Sequence, residues 1–313
     1  MKNFIYSFLG FCTLIISFYF LMSFIVNPDK KYNNSFMAAM IDKHKRIEQI
    51  KEPKIIFAGG SNLAFGINSG EIEKDFSVPV VNLGLHAGLG LSFILNELKS
   101  SIKKRDVVFL SIEYYLNSDG DYILKKYTSN IYKEARNYYN FDLKSELIAD
   151  IENTRTNVKA YASESSNSIK KQKIQLYTRE AFNEYGDDTA AWSLIPPKEL
   201  KDRNLLSYSY WTGIDELNDF YTFAKSKNVE VFFIYPNYPV SEFNKNRNVI
   251  NKLTNDLSNN LKIRILGIPS DFVYADSLFF DTVYHLNKNG RELRTKKLIE
   301  IIKHSNALHG NLL

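Results

Sequence analysis

The sequence predicts an α/β protein in which a parallel β-sheet is covered by helices on both faces. Two observations lead to this class. Short apolar stretches alternate with amphipathic stretches along most of the chain, a pattern typical of repeated strand–helix units. The apolar stretches also lack a polar face, and strands of this kind are buried on both sides. With 313 residues, 44% of them hydrophobic, the chain is long enough for one sizeable core.

Five stretches are predicted as strands, and four longer ones as helices. The strands are predicted at 54–58, 78–84, 106–113, 229–236 and 262–269. The helices are predicted at 91–104, 213–228, 247–261 and 287–304, where apolar residues recur at helical spacing. The alternation is interrupted from about 117 to 210 by a stretch rich in Tyr, Asn, Lys and Ser. We expect a mostly helical insertion there, lying over the edge of the sheet.

An uncharged apolar segment, residues 4–26, is predicted to be a transmembrane anchor. A helix of this length spans about 30 Å at ~1.5 Å per residue, the thickness of the hydrocarbon layer. A cleaved signal peptide has a shorter apolar core and a small-residue cleavage site. A lipoprotein has a small residue before its cysteine, whereas Phe11 precedes Cys12. A buried core helix is the third alternative, and the unbroken apolar length argues against it.

The segment after the anchor, residues 27–52, is predicted to be a linker with a connecting helix at 36–50, ended by Pro53. Lysines flank the anchor on both sides, so the charge rule does not fix its orientation. Because the N-terminal tail is very short, we expect it to stay inside. The domain that follows would then lie outside the cytoplasmic membrane.

Charge and cysteine content exclude two classes of protein. The net charge is +5, but the 40 basic and 35 acidic residues are interspersed and form no basic block. A nucleic-acid partner is therefore not expected. The single cysteine lies in the predicted anchor, so neither a disulfide nor a cysteine metal site is expected.

A serine directly follows the first predicted strand, in "KIIFAGGSNLAFGIN" (54–68). Gly59 and Gly60 allow a tight turn and a close approach of the backbone to a ligand. Ligands gather at the carboxyl ends of parallel strands, so Ser61 is a candidate nucleophile that needs a base. A helix N-cap is the alternative role. The stretch lacks the Walker lysine and the G-x-G-x-x-G spacing, and Leu63 replaces the last glycine of a G-x-S-x-G elbow.

A base and an acid for this serine stand four residues apart in "FFDTVYHLNKNG", just before the last predicted helix. Asp281 would orient the imidazole of His285, which would take the serine proton. The chain has five histidines, at positions 44, 86, 285, 304 and 309. Only His285 and His86 lie outside the polar N-terminal helix and the C-terminal tail. The alternative roles are a turn cap for Asp281 and a surface position for His285.

Three stretches resemble sequence blocks of the SGNH/GDSL hydrolases. "FAGGSNLAFGIN" resembles the first block, "VVNLGLHAGLG" the second and "DTVYHLNKNGRELRT" the last. The resemblance is nearest to the membrane-anchored branch that includes alginate O-acetylation and teichoic-acid D-alanyl-transfer proteins. It covers about 53–116 and 211–303. It implies a three-layer, flavodoxin-like SGNH domain over 53–313, with the insertion inside it.

The resemblance also implies a role for each site residue. Ser61 would be the nucleophile and, through its backbone N–H, an oxyanion donor. His285 would be the general base and Asp281 the orienting acid. The backbone N–H of Gly84 would be a second oxyanion donor.

Two departures from the family pattern affect this site. Typical members have Asp-x-x-His, whereas three residues separate the pair here, so Asp276 is kept as an alternative acid. The third block, Gly-x-Asn-Asp, is also absent, and "LSIEYYLNS" stands at that strand end. The third oxyanion donor is therefore missing, or it comes from Asn117 or Asn237. Losing one such donor typically costs ~10²–10³ in rate.

Together these features predict a membrane-anchored, extracytoplasmic serine acyltransferase or esterase. It would act on O-acyl groups, most simply O-acetyl, of a cell-envelope polysaccharide, with no metal or organic cofactor. If the protein transfers acyl groups, the resemblance implies a multi-span membrane-bound O-acyltransferase as partner. One alternative is a plain esterase or lipase of the same fold. The other is a non-catalytic scaffold of that fold in an envelope assembly.

Overall fold

The computed structural model describes residues 2–25, 34–166, 176–193, 197–308 and 312. Its first helix, α1, comprises Lys2–Ile25. Among the described residues, no helix combines the length and the apolar character needed to cross a membrane, so the anchor at 4–26 stays a prediction. A 3-10 turn at Phe36–Ala38 leads into α2, Ala39–Gln49, which agrees with the predicted connecting helix.

A five-stranded parallel sheet forms the centre of the domain, and each of its strands corresponds to a predicted one. The described part of the chain has seven strands, five in this sheet and two in a separate pair. In chain order they are β1 (Ile55–Gly59), β2 (Val80–Asn82), β3 (Val107–Ser111), β4 (Glu230–Ile234), β5 (Tyr238–Pro239), β6 (Arg264–Leu266) and β7 (Val273–Tyr274). The sheet order is β2-β1-β3-β4-β6, and every neighbouring pair is parallel. The short strands β5 and β7 pair separately. The predicted α/β class is therefore confirmed.

Helices flank the sheet. In chain order after α2, the described helices are α3 (Ser61–Ala64), α4 (Ser69–Phe76), α5 (Leu91–Ser101), α6 (Tyr122–Ile131), α7 (Leu143–Ser166), α8 (Gly213–Ser226), α9 (Val240–Asn260) and α10 (Lys288–Ser305), of which α6 and α7 belong to the insertion. Helix α5 packs against α8, and α4 packs against α10. Helix α9 begins at Val240, earlier than predicted, because its first turns are mostly polar and hide the helical spacing of apolar residues.

The middle strands are held by an aromatic ladder. Phe57, Phe109 and Phe232 lie in register on β1, β3 and β4. Their rings stack with centroids 5.2 Å and 5.5 Å apart. Burying an aromatic side chain of this kind contributes about 1.5–3 kcal/mol, and stacked pairs add about 0.5–1.5 kcal/mol. The ladder therefore fixes the register of the three strands that carry the rim of the sheet.

The sheet reverses its order of strand addition between β1 and β3. The chain passes from β1 to β2 on one side, and then crosses to β3 on the other. Such a switch point opens a crevice at the carboxyl ends of the two strands. At this point a Cβ on Gly59 would lie 1.9 Å from the carbonyl oxygen of Ser111, so only glycine fits. The backbones of β1 and β3 thus meet closely below the crevice.

Among its described residues, the insertion is α-helical only up to Ser166. Helices α6 and α7 pack against each other there, with a 3-10 turn at Lys133–Tyr138 between them. Over 176–193 and 197–212 the described backbone forms only 3-10 turns, isolated bridges and loops. The expectation of a mostly helical insertion therefore fails for the second half. Gly186, with φ of 94°, and the adjacent Asp187 and Asp188 favour turns over helix.

Candidate active site

Ser61 lies at the switch point, on the first turn after β1. Gly60 is the N-cap of α3, and Ser61 is its first residue, half-buried and facing a pocket. A Cβ on Gly60 would lie 2.3 Å from Oε1 of Glu113, so any other residue there would have to displace that carboxyl group. The first N–H groups of a helix have no intrahelical partner. The N–H of Ser61 is therefore a candidate oxyanion donor on its own turn, as predicted.

Asp281 and His285 form the predicted acid–base pair. Nδ1 of His285 lies 2.8 Å from Oδ1 of Asp281, and both side chains are buried. The imidazole stacks on Phe65, with ring centroids 4.1 Å apart. Burial disfavours the charged carboxylate, but hydrogen bonds from His285 and Tyr177 outweigh burial and hold the pKa of Asp281 below its ordinary value. An ionised Asp281 keeps the proton on Nδ1 and leaves Nε2 of His285 free to act as a base.

The extra residue between the acid and the base is absorbed by a tight turn. The N–H of Phe280 donates to the carbonyl of His285 at 2.7 Å, and Phe279 bridges to Leu286. This turn brings Asp281 back to the imidazole although three residues separate the two. Asp276 instead accepts the Ser241 N–H at 3.1 Å. The acid beside His285 is thus Asp281, and Asp276 is not needed.

One pocket of about 390 Å³ contains both the serine and the histidine. Its described lining residues are Phe36, Ser61, His86, Ala87, Glu113, Tyr177, Asp202, Thr282, Tyr284 and His285. They come from four regions: the linker, the switch point, the insertion and the loop before α10. The nucleophile and base that the sequence predicts thus open onto the same cavity, although more than two hundred positions separate them.

Tyr177, from the insertion, was not among the predicted site residues. Its hydroxyl donates to Oδ2 of Asp281 and lies 3.4 Å from Nδ1 of His285. Burial and the adjacent Asp281 raise the pKa of Tyr177, so the phenol stays protonated and remains a donor. No motif in the sequence marks this residue, because its role depends on how the insertion folds back over the sheet.

Glu113, at the end of β3, holds the turn that carries the serine. Its Oε1 accepts the N–H of Asn62 at 3.1 Å. Its Oε2 is buried and has no hydrogen-bond partner in the part of the chain that the structure describes. The side chain of Glu113 thus occupies the end of β3, and the described hydrogen bond that it makes is one that it accepts.

Two of the other predicted oxyanion donors, Gly84 and Asn237, already donate to neighbouring groups. The Gly84 N–H donates to Oδ1 of Asn82 at 2.9 Å. Asn237 is fully buried, and its Nδ2 donates to the Tyr284 carbonyl at 2.8 Å. Asn117 is exposed, and its Oδ1 accepts the Asp119 N–H at 2.8 Å. None of these three donors belongs to the described lining of the pocket.

Two buried arginines of α10 support the serine turn from below. Arg294 donates to Oδ1 of Asn62 at 3.0 Å and to Oγ of Ser111 at 2.9 Å. Arg291 donates to the carbonyl of Phe65 at 3.0 Å. Burial lowers the pKa of each guanidinium to about 10, so both stay charged at neutral pH. The sequence gives no sign of this role, since "GRELRTKK" has the composition of an exposed helix.

Comparison with known proteins adds no assignment: no protein-family model matches the chain, and no curated protein matches it. Within the described ranges, no group of three or more His, Cys, Asp or Glu side chains is arranged to hold a metal ion. The arrangement that the site does present is a serine, a histidine and an aspartate around one cavity. Side chains of these types in this order can carry out nucleophilic acyl transfer.

Proposed function

We propose that the protein is a serine acyltransferase or esterase in which Ser61, His285 and Asp281 act together. The observation that carries this proposal is the 2.8 Å contact between His285 and Asp281 at a pocket that Ser61 also lines. The strand order β2-β1-β3-β4-β6 is that of a flavodoxin-like sheet, and it supports assignment to the SGNH type.

The reaction would proceed in two halves. Oγ of Ser61 attacks the acyl carbonyl while Nε2 of His285 takes the hydroxyl proton, and Asp281 stabilises the imidazolium that forms. The carbonyl oxygen becomes an oxyanion beside the Ser61 N–H. The tetrahedral intermediate then collapses, the ester C–O bond breaks, and His285 returns the proton to the leaving alcohol. In the second half, water or a glycan hydroxyl attacks the acyl-serine by the same route.

The substrate class and location are further parts of the proposal, and they rest on the resemblance. The substrate would be an O-acyl, most simply an O-acetyl, group on a cell-envelope polysaccharide. The protein would be anchored by residues 4–26, with the domain outside the cytoplasmic membrane. As a transferase it would receive its acyl group from a multi-span membrane-bound O-acyltransferase.

A fluorophosphonate probe, which reacts with activated serines, tests the proposal. We expect the full-length protein to be labelled and the Ser61→Ala variant to lose the label completely. Ser270→Ala is the matched control, because Ser270 is exposed, lies in a 3-10 turn and is not among the described residues that line the pocket. It should be labelled like the unchanged protein.

The absence of labelling in the folded, unchanged protein would contradict the catalytic proposal. That result would favour the non-catalytic scaffold, which the hydrogen bonds already made by the Gly84 N–H and by Nδ2 of Asn237 support in part. If the serine is labelled, incubation with an acetyl ester and an oligosaccharide separates the two activities. Acetate release without acetylated oligosaccharide would identify an esterase, and acetylated oligosaccharide a transferase.

A further inference from the structure

His86 lines the same pocket as Ser61 and His285, on the loop that follows β2. That loop lies directly against the serine turn. The two backbones are so close at Gly84 that a Cβ added there would lie 2.9 Å from the carbonyl oxygen of Gly60. His86 therefore approaches the reaction site from the side of the nucleophile. The general base approaches it on a different loop, the one before α10.

The hydrogen bonds of His86 fix which ring nitrogen carries its proton. Nδ1 accepts the backbone N–H of Gly88 at 2.9 Å, where His86 caps a 3-10 turn at Ala87–Leu89. An acceptor nitrogen carries no proton, so a neutral His86 must carry it on Nε2. His86 is exposed to solvent as a residue, but partial desolvation of its ring in the pocket, and then the nearby His285, lower its pKa. The neutral form with an Nε2–H donor is thus favoured.

Other polar groups of the pocket are less suited to stabilise an oxyanion. Glu113 and Asp202 are acceptors when ionised. The hydroxyl of Tyr177 donates to Asp281. Thr282 and Tyr284 belong to the loop that carries the base, so they line the pocket on the side of His285 and not on the side of the nucleophile.

We propose that the Nε2–H of His86 is an oxyanion donor that replaces the side-chain donor missing from the end of β3. This inference rests on the proposed acyl transfer at Ser61. As Oγ of Ser61 bonds to the acyl carbon, the carbonyl electron pair moves onto oxygen, and His86 donates a hydrogen bond to that oxygen. No proton is transferred to the oxyanion. His86 is thus a catalytic residue, distinct from the base His285.

Two substitutions separate this role from a structural one. His86→Gln keeps an N–H near the position of Nε2 but loses the acceptor for Gly88. His86→Asn keeps an acceptor near the position of Nδ1 but has no donor that reaches the pocket. If His86 donates to the oxyanion, we expect kcat to fall about 10²–10³-fold in His86→Asn, with KM little changed. In His86→Gln we expect kcat to fall less than about 10-fold.

The measurement is kcat and KM of the full-length variants for an acetyl ester, with thermal unfolding to compare their folding. A structural role would give the opposite ranking, with His86→Gln the more damaged, and would overturn the inference. Equal activity of both variants and the unchanged protein would also overturn it, while leaving the proposed function intact. If the unchanged protein shows neither turnover nor Ser61 labelling, the proposed function fails and the inference with it.

Discussion

At the scale of single residues, catalysis at this site depends on how Asp281 is held. Its two oxygens are used by different partners, Oδ1 by His285 and Oδ2 by the hydroxyl of Tyr177. The second bond helps to hold the pKa of Asp281 below its ordinary value. Tyr177 is therefore a positioning residue, since it acts on the reaction only through Asp281 and His285.

Tyr177→Phe removes this hydrogen bond and keeps the ring. We expect kcat to fall about 10-fold with KM unchanged, since a hydrogen bond to a charged group is worth about 1.5–3 kcal/mol. The bond lowers the pKa of Asp281, so its loss raises that pKa, and the acid limb of the kcat profile moves to higher pH. Steady-state rates across the acidic range measure both effects. Tyr210→Phe, at an exposed position outside the pocket lining, is the control and should shift neither.

At the scale of the elements, helix α10 holds the loop between β1 and α4 through buried charge. Arg294 bonds Asn62 and Ser111, and it also donates to Oδ1 of Asn237. The arginine thus joins the serine turn to the ends of β3 and β4. Leaving a buried acceptor without its donor typically costs about 1–3 kcal/mol.

Arg294→Met keeps most of the apolar volume and leaves the polar groups of Asn62, Ser111 and Asn237 without their donor. We expect the free energy of unfolding in urea to fall by about 1–3 kcal/mol. Lys296→Met, at an exposed position of the same helix, should change it by less than about 0.5 kcal/mol. Equal stability of the two variants would mean that the arginine network does not hold the serine turn.

The sequence predicted the strands and helices better than the side-chain hydrogen bonds that join them. The sheet strands were recognisable because they are apolar on both faces, and Ser61, Asp281 and His285 because their types and chain positions match a known chemistry. Tyr177 and Arg294 were not recognisable, since each acts across more than one hundred positions of the chain. The hydrogen bonds made by Gly84 and Asn237 were not recognisable for a similar reason. Their N–H groups are consumed by neighbours that only the folded loops bring near.

At the scale of the whole molecule, one buried lysine joins three parts of the chain. Lys43 is on α2, which follows the N-terminal segment. Its Nζ donates to the carbonyls of Asn82 at 2.8 Å and Gly84 at 2.9 Å, and to that of Gly186 in the insertion. Burial lowers its pKa from 10.5 to about 7, against the opposing charges of Asp187, Glu97, Asp188 and Asp42. The linker, the loop beside the active site and the insertion are therefore coupled through a single titrating group.

This coupling predicts how stability depends on pH. Between about pH 7 and pH 10.5 the unfolded chain keeps the Lys43 proton and the folded protein releases it. Because the unfolded state then binds more protons, this group makes stability rise with pH across that window. Each unit of pKa difference corresponds to about 1.36 kcal/mol, so the rise amounts to a few kcal/mol. Lys43→Met has no such group, and its stability should lack this rise.

Urea unfolding of the unchanged protein and of Lys43→Met, at several pH values across the window, measures the difference directly. Subtracting the two curves removes the contribution of every other titrating group that the substitution does not disturb. Lys45→Met, two positions along the same helix and exposed, should keep the rise of the unchanged protein. Parallel curves for the unchanged protein and Lys43→Met would show that Lys43 titrates alike in the folded and unfolded states. The three parts would then be joined by a lysine that keeps its charge, and pH would not act on the loop that carries Gly84 through this residue.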